Sequence, residues 1–479
     1  MNFTVKTIYI LILMCILFRS NGFAQITIGE LDTPNIGALL DLRSESKGIL
    51  MPRVALEDTV NLKPMLTDVM ANNSDSMRLH TGLTVYNVTN SNGLCEGVYT
   101  WNTSRWEPWP SPPIVRADEV SNTFIVPNGV YIDIPVKKAF EVWTKYEISG
   151  FNDPKEDLSG PLTAELIWQD TENLISNTSA SQSWVLPVIG DDDNALIRVL
   201  INSGCNVPKL EGNALVSLRI NGIIRWSWHI WVTDYNPDSP VAPDKSFYWN
   251  NRTTKGDFVY MDRNLGATSP LQDNEYNMGL YYQFGRNTPF PVEKYYNETD
   301  RSPVLGKYPT RTNMPVTTTN NLANAIKNPN IFYTNTDNNS FLDWYTNSNI
   351  TDDPFRDTQN SILWDDMGEK TPFDPCPVGW RIPFNKNRLS PWNEMEKVTA
   401  TWQTGYQWGD ELGYYPAQGG INNAGQISSL RSNTHIWSAT AIENQMYTLR
   451  IFQNMLNSQS LRAGGSARVY GHPVRCIKE

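Results

Sequence analysis

Two proline-rich stretches constrain this chain more than any other feature. The first covers residues 107–113 (EPWPSPP) and the second covers residues 236–243 (NPDSPVAP). Proline fixes φ and has no amide hydrogen, so neither run can continue the interior of a sheet, and each predicts a stiff, extended connector. We therefore expect linkers at 107–116 and 236–244. They separate segments 25–106, 117–235 and 245–479, each of which must bury a core.

The start of the chain predicts export. Lys6 precedes an unbroken apolar run at 8–18 (IYILILMCILF), and Gly22-Phe23-Ala24 supplies small residues where a signal peptidase cleaves. The run is shorter than the roughly 20 residues that a membrane-spanning helix needs. We predict a cleaved signal peptide at 1–24 and a mature chain that begins at Gln25. That chain would have no transmembrane anchor and would be secreted or held at the cell surface or outer membrane.

Charge and composition narrow the function classes and the fold class. The formal net charge is −11, and loss of Lys6 and Arg19 with the signal peptide makes it −13. An acidic chain without a basic run excludes nucleic acid as the expected partner, because phosphate binding depends on lysine and arginine. Abundant Trp, Tyr, Asn, Thr and Gly, with few helical Lys/Glu heptads, indicate a mostly β, multi-domain protein.

The cysteines are too few for a disulfide scaffold, so any disulfide bonds would stabilise the fold only locally. Of the five in the sequence, Cys15 lies within the predicted signal peptide. Cys95, Cys205, Cys376 and Cys476 remain, an even number in an oxidising compartment, and four cysteines allow three pairings. The spacing alone does not choose among these pairings.

Segment 25–106 predicts a small β module. Leu83–Asn87 and Val98–Trp101 alternate in polarity and are separated by Gly, Asn and Ser, which is typical of a hairpin. The runs GALLDLRSESKGILMPRV (37–54) and GLTVYNVTNSNGLCEGVYTWNTSRW (82–106) resemble the N-terminal module of Bacteroidetes surface proteins and, through it, phage tail-fibre-like proteins. This resemblance implies a stalk or assembly element.

Segment 117–235 predicts a β-sandwich. Asn221-Gly222 forms the strongest short hairpin turn and lies between 214–220 and 223–232. Asp191-Asp192-Asp193 predicts a further turn between strands. Other strand-like runs occur at five places: Thr123–Val126, Tyr131–Pro135, Ala164–Trp168, Trp184–Ile189 and Ala195–Ile201. The runs TAELIWQD (163–170) and WSWHIWVTDYNP (226–237) resemble the immunoglobulin-like module of Bacteroides-type proteins.

Segment 245–479 contains five ordered motifs: FVYMDRNLGAT (258–268), GLYYQFGR (279–286), DPCPVGWRIP (374–383), WSAT (437–440) and VRC (474–476). Together they resemble the Fibrobacter succinogenes major paralogous domain family over nearly the whole segment. The resemblance implies an α+β, C-type-lectin-like domain after the immunoglobulin-like β-sandwich. Ser390-Pro391 supplies an N-cap and a first helical position, so we expect a helix at about 391–398.

The same resemblance implies a disulfide between Cys376 and Cys476. In the lectin-like fold, a cystine ties the segment around the first helix to the final strand. The alternative is a redox-active pair that resembles the thiol oxidase of the formylglycine-generating family. No base or metal ligand is placed beside either cysteine in the sequence, which favours the structural disulfide.

We expect no cofactor, with calcium as the alternative. The sugar-binding calcium motifs of C-type lectins have no clean match here. Calcium prefers six to eight oxygen ligands, and the acidic loops supply candidates at Asp352, Asp353, Asp365 and Asp366, with Asp337 and Asp343 nearby in sequence.

Enzymatic chemistry is not indicated. His80, His229, His435 and His472 fall in separate sequence contexts, and no nucleophile elbow, Walker A, H-E-x-x-H or C-x-x-C motif occurs. The chain has 50 acidic residues, so a glycosidase-like pair of carboxylates can always be chosen and indicates nothing. We expect a non-enzymatic protein.

Aromatic residues in polar, glycine-rich stretches suggest a binding surface. The candidate ligand contacts are Trp402, Tyr406, Trp408, Tyr414 and Tyr415, and we expect at least one of them to be exposed. Our first functional hypothesis is an adhesin that presents its lectin-like domain to a glycan or a protein. The second is a structural envelope or fibre subunit that contacts only its own assembly. An oxidase of the formylglycine-generating kind is the third.

Overall fold

The structure is a computed structural model and is mostly β. It describes residues 26–28, 40–90, 94–108, 114–145, 156–171, 174–175, 185–202, 210–239, 252–255, 258–271, 275–292, 311–316, 321–336, 343–345, 363–364, 370–384, 400–402, 405–408, 413–442, 445–452 and 463–479. The predicted signal peptide, the helix expected at 391–398 and Cys205 lie outside these ranges. The chain divides into two compact units, Met1–Pro52 and Arg53–Glu479.

The first unit contains one small sheet. Strand β1 (Ile26–Ile28) pairs in parallel with β2 (Leu40–Leu42). The side chains of Ile28, Leu40 and Leu42 are exposed. An isolated two-stranded sheet is marginal in water, and this one exposes apolar residues.

The second unit begins with a small α/β module that has its own core. Its sheet is ordered β3 (Arg53–Val54), β4 (Thr84–Asn87), β5 (Gly97–Trp101) and β6 (Trp106–Pro108), with helices α1 (Asp68–Ala71) and α2 (Ser74–Leu79) between β3 and β4. The predicted hairpin is confirmed as the antiparallel pair β4–β5. The core residues are Leu56, Leu62, Ala71, Val85, Leu94, Tyr99, Trp101 and Trp106.

A two-sheet region follows, and its strand predictions are largely confirmed. The strands are β7 (Ile114–Arg116), β8 (Thr123–Val126), β9 (Tyr131–Pro135), β10 (Leu162–Gln169), β11 (Val185–Leu186), β12 (Val188–Ile189), β13 (Leu196–Leu200), β14 (Gly212–Ile220) and β15 (Ile223–Val232). One sheet has the order β11-β10-β14-β15-β8 and the other β12-β13-β9-β7. Helix α3 (Lys137–Lys145), which we did not predict, follows β9.

The turns explain how the chain moves between these strands. Asn221 and Gly222 have φ of 49° and 78°, the left-handed values that a two-residue hairpin requires, and they join β14 to β15 in antiparallel register. Residues 191–194 form the predicted turn between β12 and β13. The run predicted as one strand at 184–189 is divided at Pro187, where the chain leaves one sheet for the other.

Sheet pairing extends into the first predicted linker. Residues 107–108 belong to β6 and 114–116 to β7, which pairs in parallel with β9. These five positions of the predicted linker are extended, as expected, but they also take part in sheet pairing. Proline is tolerated at a strand end such as Pro108, where no ladder hydrogen bond is needed from its nitrogen.

The C-terminal region is built from short strands in several small sheets. They are β16 (Arg252–Lys255), β17 (Phe258–Met261), β18 (Tyr281–Gln283), β19 (Thr312–Pro315), β20 (Ile331–Thr334), β21 (Trp380–Arg381), β22 (Ala400–Trp402), β23 (Gly405–Trp408), β24 (Tyr414–Pro416), β25 (Gly420–Ile421), β26 (Ile427–Ser428), β27 (Asn433–Ile442), β28 (Gln445–Phe452), β29 (Ala463–Ser466), β30 (Gly471–Pro473) and β31 (Ile477–Lys478). The sheet orders are β16-β17-β31-β21, β18-β30-β25-β26, β19-β20, β22-β23-β24 and β27-β28-β29. A short 3₁₀ helix (Glu275–Asn277) and helix α4 (Leu322–Lys327) complete it.

The predicted disulfide is confirmed. Cys376 and Cys476 are bonded, with Cα atoms 6.0 Å apart, and both side chains are fully buried. The last strand β31 pairs with β21, so the chain end lies beside Gly379-Trp380-Arg381. The Lys370 ammonium group donates hydrogen bonds to the carbonyl oxygens of Cys376, Pro377 and Trp380, at 2.5, 2.6 and 2.7 Å. The disulfide bond, the pairing of β31 with β21 and the Lys370 ammonium group all hold the end of the chain beside residues 379–381.

Cys95 is also disulfide-bonded. Among the described helices, none is long and apolar enough to cross a membrane. The immunoglobulin-like and C-type-lectin-like assignments stay predictions, and so do the segment boundaries.

Candidate assembly surface

The two-sheet region and the C-terminal region share one core. Buried residues from Ala117 to Cys476 belong to a single hydrophobic cluster. The rings of Trp226, on β15, and Phe373 lie 5.5 Å apart. The Arg263 guanidinium carbon lies 4.0 Å from the centre of the Tyr235 ring. These two segments therefore form one packed body.

Asn122 is the polar centre of this junction. It precedes β8, is fully buried, and donates through Nδ2 to the carbonyl oxygens of Pro372 (2.6 Å) and Asp374 (2.8 Å). Its Oδ1 accepts a hydrogen bond from Trp226 Nε1 at 3.0 Å. One amide thus satisfies three buried groups on both sides of the junction, as buried polar atoms require.

A second set of polar contacts lies beside it. Thr123 Oγ1 is 2.6 Å from the carbonyl oxygen of Pro375 and 3.0 Å from His229 Nδ1. His229 Nε2 is 2.9 Å from Asn213 Oδ1, and Asn213 Nδ2 donates to the carbonyl oxygen of Gly266 at 3.0 Å. Burial lowers the pKa of His229 to about 3, so the ring is neutral at physiological pH.

We expect Asn122→Ala to lower the free energy of unfolding by about 3 kcal/mol, because it strands three buried hydrogen-bonding groups that each cost about 1–3 kcal/mol when unsatisfied. Urea unfolding followed by tryptophan fluorescence measures this. Asn72→Ala is the matched control, since the exposed Asn72 side chain makes one hydrogen bond, to the carbonyl oxygen of Asp68. Equal effects of the two substitutions would contradict a bridging role for Asn122.

Two surface grooves lie beside this junction, among the residues that the structure describes. One, of about 920 Å³, is lined by Lys138, Lys370, Arg381, Glu119, Glu141 and Glu479 among others. Burial lowers the pKa of Lys138 to about 7. The other, of about 690 Å³, runs between β7, β8 and residues 377–380. The first groove therefore has both positive and negative side chains in its lining.

Three of the five candidate aromatic contacts lie in the interior. Tyr406, Tyr414 and Tyr415 are buried, so these three do not supply the exposed aromatic side chain that we expected. The segment is a three-stranded sheet, β22-β23-β24, and not an open loop. The Arg475 guanidinium carbon lies 3.6 Å from the centre of the Tyr415 ring, which packs it inward. The side chains of Trp402 and Trp408 lie outside the described part of the structure, although their backbones are in strands.

The acidic candidates give no calcium site that can be described. Asp352, Asp353, Asp365, Asp366 and Asp337 lie outside the described ranges. Asp343 is buried and forms an ion pair with Arg468 Nη1 at 3.2 Å, so its carboxylate is already used. Within the described ranges, no group of three or more His, Cys, Asp or Glu side chains could hold a metal ion.

Two histidines that are separate in sequence meet in space. His435 and His472 stack with their ring centres 5.0 Å apart, a contact that their separate sequence contexts do not indicate. His472 Nε2 lies 2.7 Å from Ser466 Oγ. His472 is buried and His435 is partly buried, and burial lowers the pKa of His435 to about 4 and that of His472 well below its usual value. Neither groove described above reaches Ser466 or His472, so this contact is a packing feature of the core.

Exposed apolar side chains, by contrast, are concentrated near the start of the chain. The described residues include seventeen large apolar side chains that are exposed, and twelve of them lie between Ile28 and Val120. On the helices of the small module, Val69 and Leu79 are 84% and 75% exposed and Met70 is also exposed. A surface helix normally presents polar residues outward, so this face is typical of an interaction surface.

The exposure of Val69, Met70 and Leu79 could not be recognised from the sequence. Helices α1 and α2 are four and six residues long, too short for a periodic pattern to show that an outward face is apolar. The capping residue Asn73, whose Oδ1 accepts from the amides of Asp75 and Ser76 at 3.0 and 3.1 Å, was the one local signal available.

Comparison with known proteins adds one finding. Residues 27–122 match the family model described as a phage tail like trimerisation region. No curated protein and no solved structure shows a significant match to the chain.

Proposed function

We propose that this chain is a non-enzymatic structural subunit of an extracellular, fibre-like assembly, held as a homotrimer through residues 27–122. The observation that carries the proposal is the coincidence of two independent features. The exposed apolar side chains concentrate between Ile28 and Val120, and the trimerisation family matches the same residues. Closed cyclic symmetry is the usual way in which identical chains bury such surfaces.

The two-sheet region and the C-terminal region, which share one core, would be the part that the assembly displays. Its junction around Asn122 and its disulfide at Cys376 and Cys476 supply the rigidity that suits a displayed domain. Export through the predicted signal peptide at 1–24 would place the assembly outside the cell. The adhesin hypothesis stays a prediction, and burial of Tyr406, Tyr414 and Tyr415 removes three of the five side chains that suggested it.

The test is the mass of the mature chain in solution, measured by light scattering after gel filtration over a range of concentrations. We expect a trimer. The variant Val69→Lys/Leu79→Lys should raise the dissociation constant by at least about tenfold, since burying charges at an apolar interface is unfavourable. Val185→Lys is the control, because Val185 is 58% exposed but lies outside the matched residues. A monomer at every concentration would overturn the proposal.

A further inference from the structure

The edge strand β7 lies inside the matched trimerisation region but belongs to the body that follows the small module. It pairs with β9 along one side, in the register Ile114–Tyr131, Val115–Ile132 and Arg116–Asp133. It ends its sheet, so no described strand pairs with its other side. An unpaired edge presents amides and carbonyls ready to bind another chain.

The side chains of β7 are those of a contact surface. Ile114 is 54% and Val115 is 40% exposed. Proteins usually protect a free edge with charge or with proline, and here Arg116 is the one charged residue in the strand. Both edges of this sheet have protective residues beside them in sequence: Pro112-Pro113 precede β7, and Asp191-Asp192-Asp193 follow the opposite edge strand, β12. What distinguishes β7 is that it lies inside the matched residues and β12 does not.

A groove beside β7 supplies room for a partner's side chains. Val115 and Ala117 form one wall of the 690 Å³ groove, Phe124 on β8 forms another, and Val378 and Trp380 close it. Val378 is itself one of the five exposed large apolar residues outside the matched region. The apolar surface of β7 is therefore continuous with a depression whose lining is mainly apolar but also includes Arg116, Asp118, Asp234 and Asp238.

We propose that β7 and this groove form part of the trimer interface and that their occupant is a neighbouring copy of this chain. The inference rests on the proposed function. Its specific content is that the interface does not stop at the small module. It extends along β7 onto the two-sheet body, which fixes the orientation of that body relative to the assembly axis.

The test compares two edges of one sheet in the full mature chain. Ile114→Lys places a charge on β7, and Ile189→Lys places one on β12, where the native residue is 43% exposed. We expect Ile114→Lys to raise the trimer dissociation constant at least about tenfold, with no change for Ile189→Lys. Near-ultraviolet circular dichroism checks that both variants fold.

Amide hydrogen exchange supplies a second measurement that needs no substitution in β7. The amides of 114–116 should exchange more slowly in the wild-type trimer than in the Val69→Lys/Leu79→Lys variant at a concentration at which that variant is monomeric, and those of 188–189 should not differ. This inference would be overturned if the wild type is a trimer, the Ile114→Lys and Ile189→Lys variants both remain trimers, and the amides of 114–116 show no protection. The proposed trimer would still stand in that case. A monomeric wild type would overturn both.

Discussion

The variant Cys376→Ala/Cys476→Ala should unfold with a free energy about 4–5 kcal/mol lower than that of the wild type. The bond joins residues separated by 100 positions, and the entropy that a cross-link removes from the unfolded chain grows with the logarithm of the loop length. Both sulfur atoms are buried, so their removal does not stabilise the folded state and cannot offset the loss of the cross-link. Urea unfolding at neutral pH, followed by tryptophan fluorescence, measures the difference.

The bond formed by Cys95 must be separated from this effect. Reductant added during unfolding breaks both bonds in the wild type and only the Cys95 bond in the double-alanine variant. The variant measured with and without reductant therefore isolates the Cys95 contribution. A loss of less than about 1 kcal/mol in the double-alanine variant would mean that strand pairing and Lys370 hold the chain end unaided.

What could be predicted from the sequence was encoded locally. Asn221 and Gly222 tolerate positive φ wherever they occur, so the β14–β15 hairpin needed no tertiary information. The runs at 123–126 and 131–135 are strands with those same bounds. The disulfide was implied by a family resemblance, and in the structure the pairing of β31 with β21 brings the two cysteines together.

What could not be predicted depends on partners that are remote in sequence. Tyr415 lies in a polar, glycine-rich stretch, and only the approach of Arg475 shows that its ring faces the interior. Asn122 carries no local sign that it bridges two segments, since its acceptors lie about 250 residues away. The exposure of Val69 and Ile114 could not be predicted either. In a short element, an apolar residue belongs to no periodic pattern that would distinguish a core face from an interface.

Acid should destabilise the protein well above the pH at which carboxylates titrate. His229 and His472 are buried and His435 is partly buried, and burial lowers the pKa of each below 6.5. The unfolded chain binds protons at these positions as the pH falls below 6.5, and the folded chain does not, so stability falls with pH in this range. At pH 5 each histidine contributes a loss of about 2 kcal/mol relative to neutral pH, or about 6 kcal/mol for the three.

The measurement is the free energy of unfolding by urea at about pH 7.5 and about pH 5, with His472→Asn and His80→Asn beside the wild type. His472→Asn removes one titrating group, so the difference between the two pH values should shrink by about 2 kcal/mol whatever its effect on stability at neutral pH. His80 lies partly exposed on the small module, and its replacement should leave the difference unchanged. Glu156, whose pKa is lowered from 4.5 by Arg225 and Lys327 against the opposing effect of burial, loses its contribution only below this window. Equal stability at the two pH values would show that the buried rings accept protons without unfolding, and that the stacked pair of His435 and His472 is more accessible than its packing indicates.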